Sequence, residues 1–85
     1  MRLTIYSKPG CHLCDEMKST VHRVLSTRSD EPAVSVDEID ISGDPALIDQ
    51  YGLEIPVLLI DGRKAAKYRV SEGELRRMLD GRWGS

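Results

Sequence analysis

The only two cysteines of the chain, Cys11 and Cys14, stand three residues apart where the hydrophobic pattern changes period. Ahead of them Leu3 and Ile5 alternate with Thr4 and Tyr6, the two-residue period of a buried strand over Arg2 to Ser7. Behind them Leu13, Met17, Val21 and Val24 recur at spacings of four, four and three, one face of a helix. Ser-Lys-Pro-Gly turns the chain between the two. Two helical residues three apart are separated by about 300° and 4.5 Å of rise, so their Cα atoms fall within disulfide range, about 4.4–6.8 Å. Cys11 lies at the helix start, where unpaired amides and the positive dipole end favour a thiolate, and Asp15 and Glu16 occupy the first turn, where acids suit the dipole. Cys14 lies one turn further in and more sheltered. A plain staple is the weaker reading, because so short a loop removes only about 2 kcal/mol of unfolded-state entropy. Structural zinc needs four ligands. His12 is adjacent to Cys11, and His22 lies about 12 Å along the helix from Cys14, so one chain cannot close that site. The pair reads as an activated nucleophile with a resolving thiol in reach.

The rest of the chain fixes the setting. Thr-Arg-Ser-Asp-Glu-Pro ends the first helix in a loop. Ala33 to Ile41 reads as a second strand with imperfect alternation, Val34 and Val36 pointing one way and Ile39 and Ile41 the other, as a bulge or burial on both faces near its end would give. Asp44 as N-cap, Pro45 at the first helical position and Gly52 as the stop punctuate a short second helix. Pro56 to Ile60 is a third strand, and Asp61-Gly62 a two-residue hairpin turn into a fourth, about Arg63 to Arg69. The basic residues of that strand, Arg63, Lys64, Lys67 and Arg69, suit a solvated edge, or a face steering an acidic partner. Ser71 and Glu74 form the capping box of a last helix striped by Leu75, Met78 and Leu79 and stopped by Gly81. Trp83 falls in a short tail. The order β-α-β-α-β-β-α, with a right-handed crossover in the first βαβ unit, predicts an α/β domain on the thioredoxin-fold plan: a four-stranded mixed sheet of order 2-1-3-4 with helices on both faces. With 85 residues the expectation is one domain over 1–85, with a folded core of about 2–80.

Composition narrows the function. A net charge of −2 with interspersed signs carries no nucleic-acid footprint. The longest apolar run, Ile55 to Ile60, is far short of a membrane span, and no signal-peptide pattern opens the sequence. A cytoplasmic protein is expected, with no nucleic-acid or membrane partner. In that compartment a close cysteine pair is redox-active or metal-binding more often than structural. Ile55-Pro56 is the second element of the site. If the third strand pairs antiparallel with the first, its start lies beside the end of the first, next to Cys11. A cis bond there would expose the Ile55 N–H and C=O to an extended cysteine-containing substrate.

Leu3 to about Leu79, through "LTIYSKPGCHLCDE", the acidic "VDEIDI" and "DPALIDQYGLEIPVLLIDG", resembles the glutaredoxins, and more closely the short bacterial glutaredoxin-like proteins. The resemblance implies that Cys11 is the nucleophile, Cys14 the resolving thiol, Pro56 the cis-proline and Lys8 the partner of the glycine carboxylate of glutathione. Two departures stand out. His12-Leu13 replaces the usual Pro-Tyr between the cysteines, and "AAKYRVSEGEL" lacks the Gly-Gly and the acidic run that hold the γ-glutamyl end. Ala66-Lys67 fall about where Gly-Gly would, and Ser71 and Glu72 could supply part of that site through a helix N-terminus. His12 could favour the Cys11 thiolate as a nearby cation. The site expected is Cys11 and Cys14 for chemistry and Lys8, His12, Leu13, Ile55, Pro56 and Ser71 for substrate, with no metal and no cofactor. The expected activity is that of a monomeric dithiol oxidoreductase acting on protein or small-molecule disulfides, with glutathione or a thioredoxin-type reductase as reductant. The other readings are a redox-sensing or partner-binding module without turnover, and a dimeric iron–sulfur cluster carrier.

Overall fold

The computed structural model describes residues 2–27 and 34–82. Strand β1 (Arg2–Ser7) runs through the middle of the molecule. It pairs in parallel with β2 (Ser35–Asp40), Leu3 opposite Val36, and antiparallel with β3 (Val57–Ile60), Ile5 opposite Leu58 and Tyr6 opposite Val57. Strand β4 (Arg63–Lys67) returns antiparallel along β3, so the sheet order is β2-β1-β3-β4. Asp61 and Gly62 turn the hairpin with φ of 50° and 85°, the two left-handed residues that match the sheet's twist. The register of the hairpin shifts between Leu58 and Leu59, whose partners are Ala66 and Lys64. Ala65 is therefore the extra residue of a bulge, which the sequence did not announce.

Alternation along β1 divides the two faces. Leu3 and Ile5 join Leu58 and Ile60 in a core closed by Met17, Val21 and Val24 of α1 (His12–Ser26) and by Leu75 of α3 (Glu72–Arg77), with Val70 and Leu79. On the other face Tyr6 stacks on Tyr51, with ring centroids 4.8 Å apart. Tyr51 ends α2 (Pro45–Tyr51), which buries none of its residues. Helices thus cover both faces, one heavily and one lightly. Asp44 caps α2 through hydrogen bonds accepted from the amides of Ala46 and Leu47, and Pro45 opens it where its missing N–H is harmless.

Four expectations need correction. The buried stripe of α1 is Cys14, Met17, Val21 and Val24. Leu13 has a suitable angular position, but it sits in the first turn, at the end of the sheet, and is half-buried. Strand β2 has neither a bulge nor burial on both faces: its register with β1 is unbroken. It is an edge strand, which leaves Ile39 36% exposed. Ile41 is buried beyond its end, where its N–H donates to the Ser7 carbonyl at 2.9 Å. Strand β4 stops at Lys67 because Tyr68 turns left-handed, with φ of 66°. Helix α3 does not run to Gly81. It ends at Arg77 and widens into a π-helical turn, Met78–Arg82, that contains Gly81 and keeps Leu79 in the apolar layer. Ala33, the loop before it and Trp83 lie outside the described residues.

Candidate active site

The approach to the cysteines begins at Ser7, the buried last residue of β1. Pro9 and Gly10 turn the chain, Gly10 with φ of 79°, which an L side chain resists. Cys11 then becomes the N-cap of α1, extended at φ −94° and ψ 111°. Its Sγ occupies the place that a serine or aspartate oxygen takes in an ordinary cap and accepts the N–H of Cys14 at 3.1 Å. The Cys11 carbonyl accepts the N–H of Asp15 at 3.2 Å. A sulfur there meets an otherwise unpaired amide and the positive end of a helix of 15 residues. Cys11 and Cys14 are joined by a disulfide with their Cα atoms 5.2 Å apart. Cys11 is half-buried, whereas Cys14 is 2% exposed. The expected asymmetry between an accessible and a sheltered sulfur is present in the packing.

The Ile55–Pro56 bond is cis. Because Val57 faces Tyr6, Pro56 comes alongside the end of β1, from which Lys8–Gly10 lead to Cys11. Among the described residues neither the N–H nor the C=O of Ile55 has a hydrogen-bond partner. Lys8 is exposed and lines two cavities. One, of about 190 Å³, reaches Cys14 and is walled by Lys18, Glu38 and Asp40. The other is a groove of about 570 Å³ bounded by Ile41, Ile48 and Leu53. His12 is exposed at the first position of α1 and Leu13 half-buried at the second. Ser71 stands at the N-terminus of α3. Its hydroxyl accepts the Glu74 N–H at 3.1 Å and its own N–H donates to the Glu74 carboxylate, also at 3.1 Å. It serves as the cap of α3.

Most of the charged side chains around the smaller cavity have a partner. Lys18, one turn past Cys14, contacts the Glu38 carboxylate at 2.7 Å and Asp15 at 3.5 Å. Asp40 accepts the Ser42 hydroxyl at 2.6 Å and the Ser42 N–H at 2.8 Å. These two bonds, the hydroxyl first, hold its carboxyl below the usual carboxylate range. Lys18 and Glu38 were not singled out from the sequence, although the helical spacing from Cys14 to Lys18 was a usable signal. Among the described residues no group of three or more His, Cys, Asp and Glu side chains is arranged to hold a metal ion, and no helix is long and apolar enough to cross a membrane.

The profile of the glutaredoxin-like domain (DUF836) matches residues 2–80. The chain belongs to this glutaredoxin-like family. Its relatives include the glutaredoxin-like protein YDR286C homolog of Dictyostelium discoideum, 25% identical over 77 residues that span 88% of this chain and 71% of that protein. Protein Rv0508 of Mycobacterium tuberculosis is 28% identical over 76 residues, 88% of this chain and 78% of its own length. Among solved structures, the X-ray structure of protein XcR50 from X. campestris matches with a TM-score of 0.74 and 31% identity, covering 93% of this chain and 96% of that one. Thioredoxin 1 of Thermosipho africanus, at 13% identity and a TM-score of 0.57 over 94% of this chain and 96% of that one, shares the fold. The sequence expectation of a thioredoxin fold in a glutaredoxin-like family is met. A glutaredoxin-like domain with a C-x-x-C pair on this fold supports a redox type of function.

Proposed function

We propose that this glutaredoxin-like protein is a dithiol thiol–disulfide oxidoreductase. The observation that carries the reading is the Cys11 Sγ capping α1 and accepting the Cys14 amide, with Cys14 itself sheltered. In the reduced protein the Cys11 thiolate attacks one sulfur of a substrate disulfide. That sulfur bonds to Cys11, and the other leaves as a thiolate that takes a proton from water. Cys14 then loses its proton and attacks the Cys11 Sγ. The Cys11–substrate bond breaks, the second substrate thiol departs and the Cys11–Cys14 disulfide remains. Two electrons pass from protein to substrate, and two thiols of glutathione or of a thioredoxin-type reductase restore the pair. Lys8, beside both cavities, is placed to meet a substrate carboxylate, and the open Ile55 backbone to pair with a substrate main chain. Substrates are protein or small-molecule disulfides, a single chain suffices, and the setting is the cytoplasm.

The test is trapping. Cys14→Ser leaves an attacking thiol without a resolving one, so mixed disulfides accumulate, while Cys11→Ser traps none. Equal trapping by both variants would refute the ordered mechanism. A redox-sensing module would form the Cys11–Cys14 disulfide yet turn over no disulfide offered. A cluster carrier would purify with visible absorbance. With Ala66-Lys67 where a Gly-Gly pair would stand, turnover of a glutathione mixed disulfide is expected to be slower than that of a peptide disulfide. The reverse order would mean that the segment from Tyr68 to Leu75 rebuilds the missing pocket.

A further inference from the structure

Tyr68 has φ of 66°, a left-handed conformation that glycine and asparagine take readily and a bulky residue rarely does. A tyrosine stays there only where its surroundings hold it. Two hydrogen bonds do so, and both reach the segment entering β3. The Tyr68 N–H donates to the Pro56 carbonyl at 2.8 Å, and the Tyr68 hydroxyl donates to the Leu53 carbonyl at 3.0 Å. Between these anchors Glu54 is tied to Lys64 of β4 at 2.6 Å. The hydrogen bond from Lys64 holds the Glu54 carboxyl below its ordinary range. Leu53, Glu54 and Pro56 therefore each have a partner on β4 or at its end. Ile55, in their midst, presents an N–H and a C=O with no partner among the described residues. Leu53 is 94% exposed at the rim of the groove shared with Ile41, Ile48 and Lys8.

We propose that Tyr68 is a positioning residue that presents Ile55 as a docking edge for an extended polypeptide, with Leu53 set to meet an apolar side chain of that polypeptide. This rests on the disulfide-exchange reading and names its substrate class: a polypeptide disulfide, recognised through its main chain and one neighbouring apolar residue. An open backbone edge gains affinity from main-chain hydrogen bonds, and side chains on either side of the paired residue give selectivity. An apolar groove beside that edge serves a peptide and offers little to a small polar thiol compound. The left-handed turn at Tyr68 aims its hydroxyl and its amide at opposite ends of one short segment.

The discriminating variant is Tyr68→Phe, which keeps the ring and the turn and removes the hydroxyl bond to Leu53. Three measurements are made: turnover of a small dialkyl disulfide by the unaltered protein, the kinetics (KM and kcat) of a peptide disulfide with leucine beside its cysteine, and binding of the same peptide, serine replacing cysteine, to the oxidised protein by NMR shifts. In Tyr68→Phe the peptide KM is expected to rise about three- to tenfold, more than kcat falls, and binding of the inert peptide to weaken by a similar factor. Leu53→Ala should weaken the leucine peptide and leave one with glycine in that position unaffected. Unchanged KM and unchanged binding in a Tyr68→Phe protein that melts normally overturn the proposal. If the unaltered protein turns over neither the small disulfide nor the peptide disulfide, the disulfide-exchange reading falls. The binding measurement then still decides for or against Tyr68, because it involves no sulfur chemistry.

Discussion

Cys11 and Cys14 carry the same thiol in different housings. The Cys11 sulfur replaces a capping oxygen and receives an amide N–H, whereas Cys14 faces inward with 2% of its surface exposed. In the reduced protein at neutral pH, iodoacetamide should alkylate Cys11 faster than Cys14, by about tenfold or more, since the thiolate is the reacting form and both charge and access favour Cys11. Peptide mapping after brief labelling reads the ratio, and preferential modification of Cys14 would reverse the assignment of roles. This pair was legible in the sequence because its chemistry depends on spacing and on one helix end, both local. Tyr68 was not. Its partner Leu53 is 15 residues away, and nothing in the string of letters marks a tyrosine that takes a glycine's conformation. The Lys18–Glu38 pair escaped for the same reason, since it joins α1 to β2 across the parallel crossover.

The third helix shows what a short element needs in order to form. Six residues of α-helix gain little by themselves, so its capping box and the apolar anchor Leu75 matter. The Ser71 N–H and then the Ser71 hydroxyl interaction hold the Glu74 carboxyl below the ordinary glutamate range. A carboxyl lowered on folding stabilises the folded state above its unfolded pKa, and that contribution is lost as pH falls through the lower folded value. Acidification from about pH 5 downward, past the ordinary glutamate pKa of about 4.3, should therefore erode this cap. Glu74→Gln can still accept the Ser71 N–H but does not titrate. Its melting temperature should stay close to the parent's at pH 7 and decline less steeply in acid. Parallel declines in the two proteins would show that the cap does not titrate. Element boundaries were less legible than element identities. The S-x-x-E signature gave the start of α3 correctly, because a cap is a local hydrogen-bond pattern. Gly81 misled as its stop, because the packing of Leu79 keeps the chain coiled through a π turn.

At the scale of the whole molecule the packing is lopsided. Leu3, Ile5, Leu58, Ile60 and the inner faces of α1 and α3 form the core, and for a chain of 85 residues the total stability is about 4–13 kcal/mol at 0.05–0.15 kcal/mol per residue. Leu58 is fully buried, so Leu58→Ala should cost about 2–5 kcal/mol, a large share of the whole, read as a lower urea midpoint. Reduction of Cys11–Cys14 should do less. Its loop is so short that the stability lost is at most about 2 kcal/mol, and circular dichroism of the reduced protein should remain that of the folded state. Collapse on reduction would make the pair a staple. Sheet order and crossover could be read from the sequence because strand and helix periods alternate plainly along it. The uneven burial could not, because α2 looks apolar in sequence while Ile48 remains 44% exposed. With no buried residue of its own, α2 is held by the Tyr6–Tyr51 stack at its C-terminal end and by the half-buried Leu47. The stretch from Ala46 to Gln50, mostly exposed, is thus close to an interchangeable cassette on a fixed chassis. Swapping Ala46 to Gln50 for another helix-forming stretch, with Leu47 and Tyr51 kept, should shift the melting temperature by only a few degrees while reshaping the groove lined by Ile48 and Asp49, so under the proposed function new specificities can be grafted without rebuilding the protein that carries them.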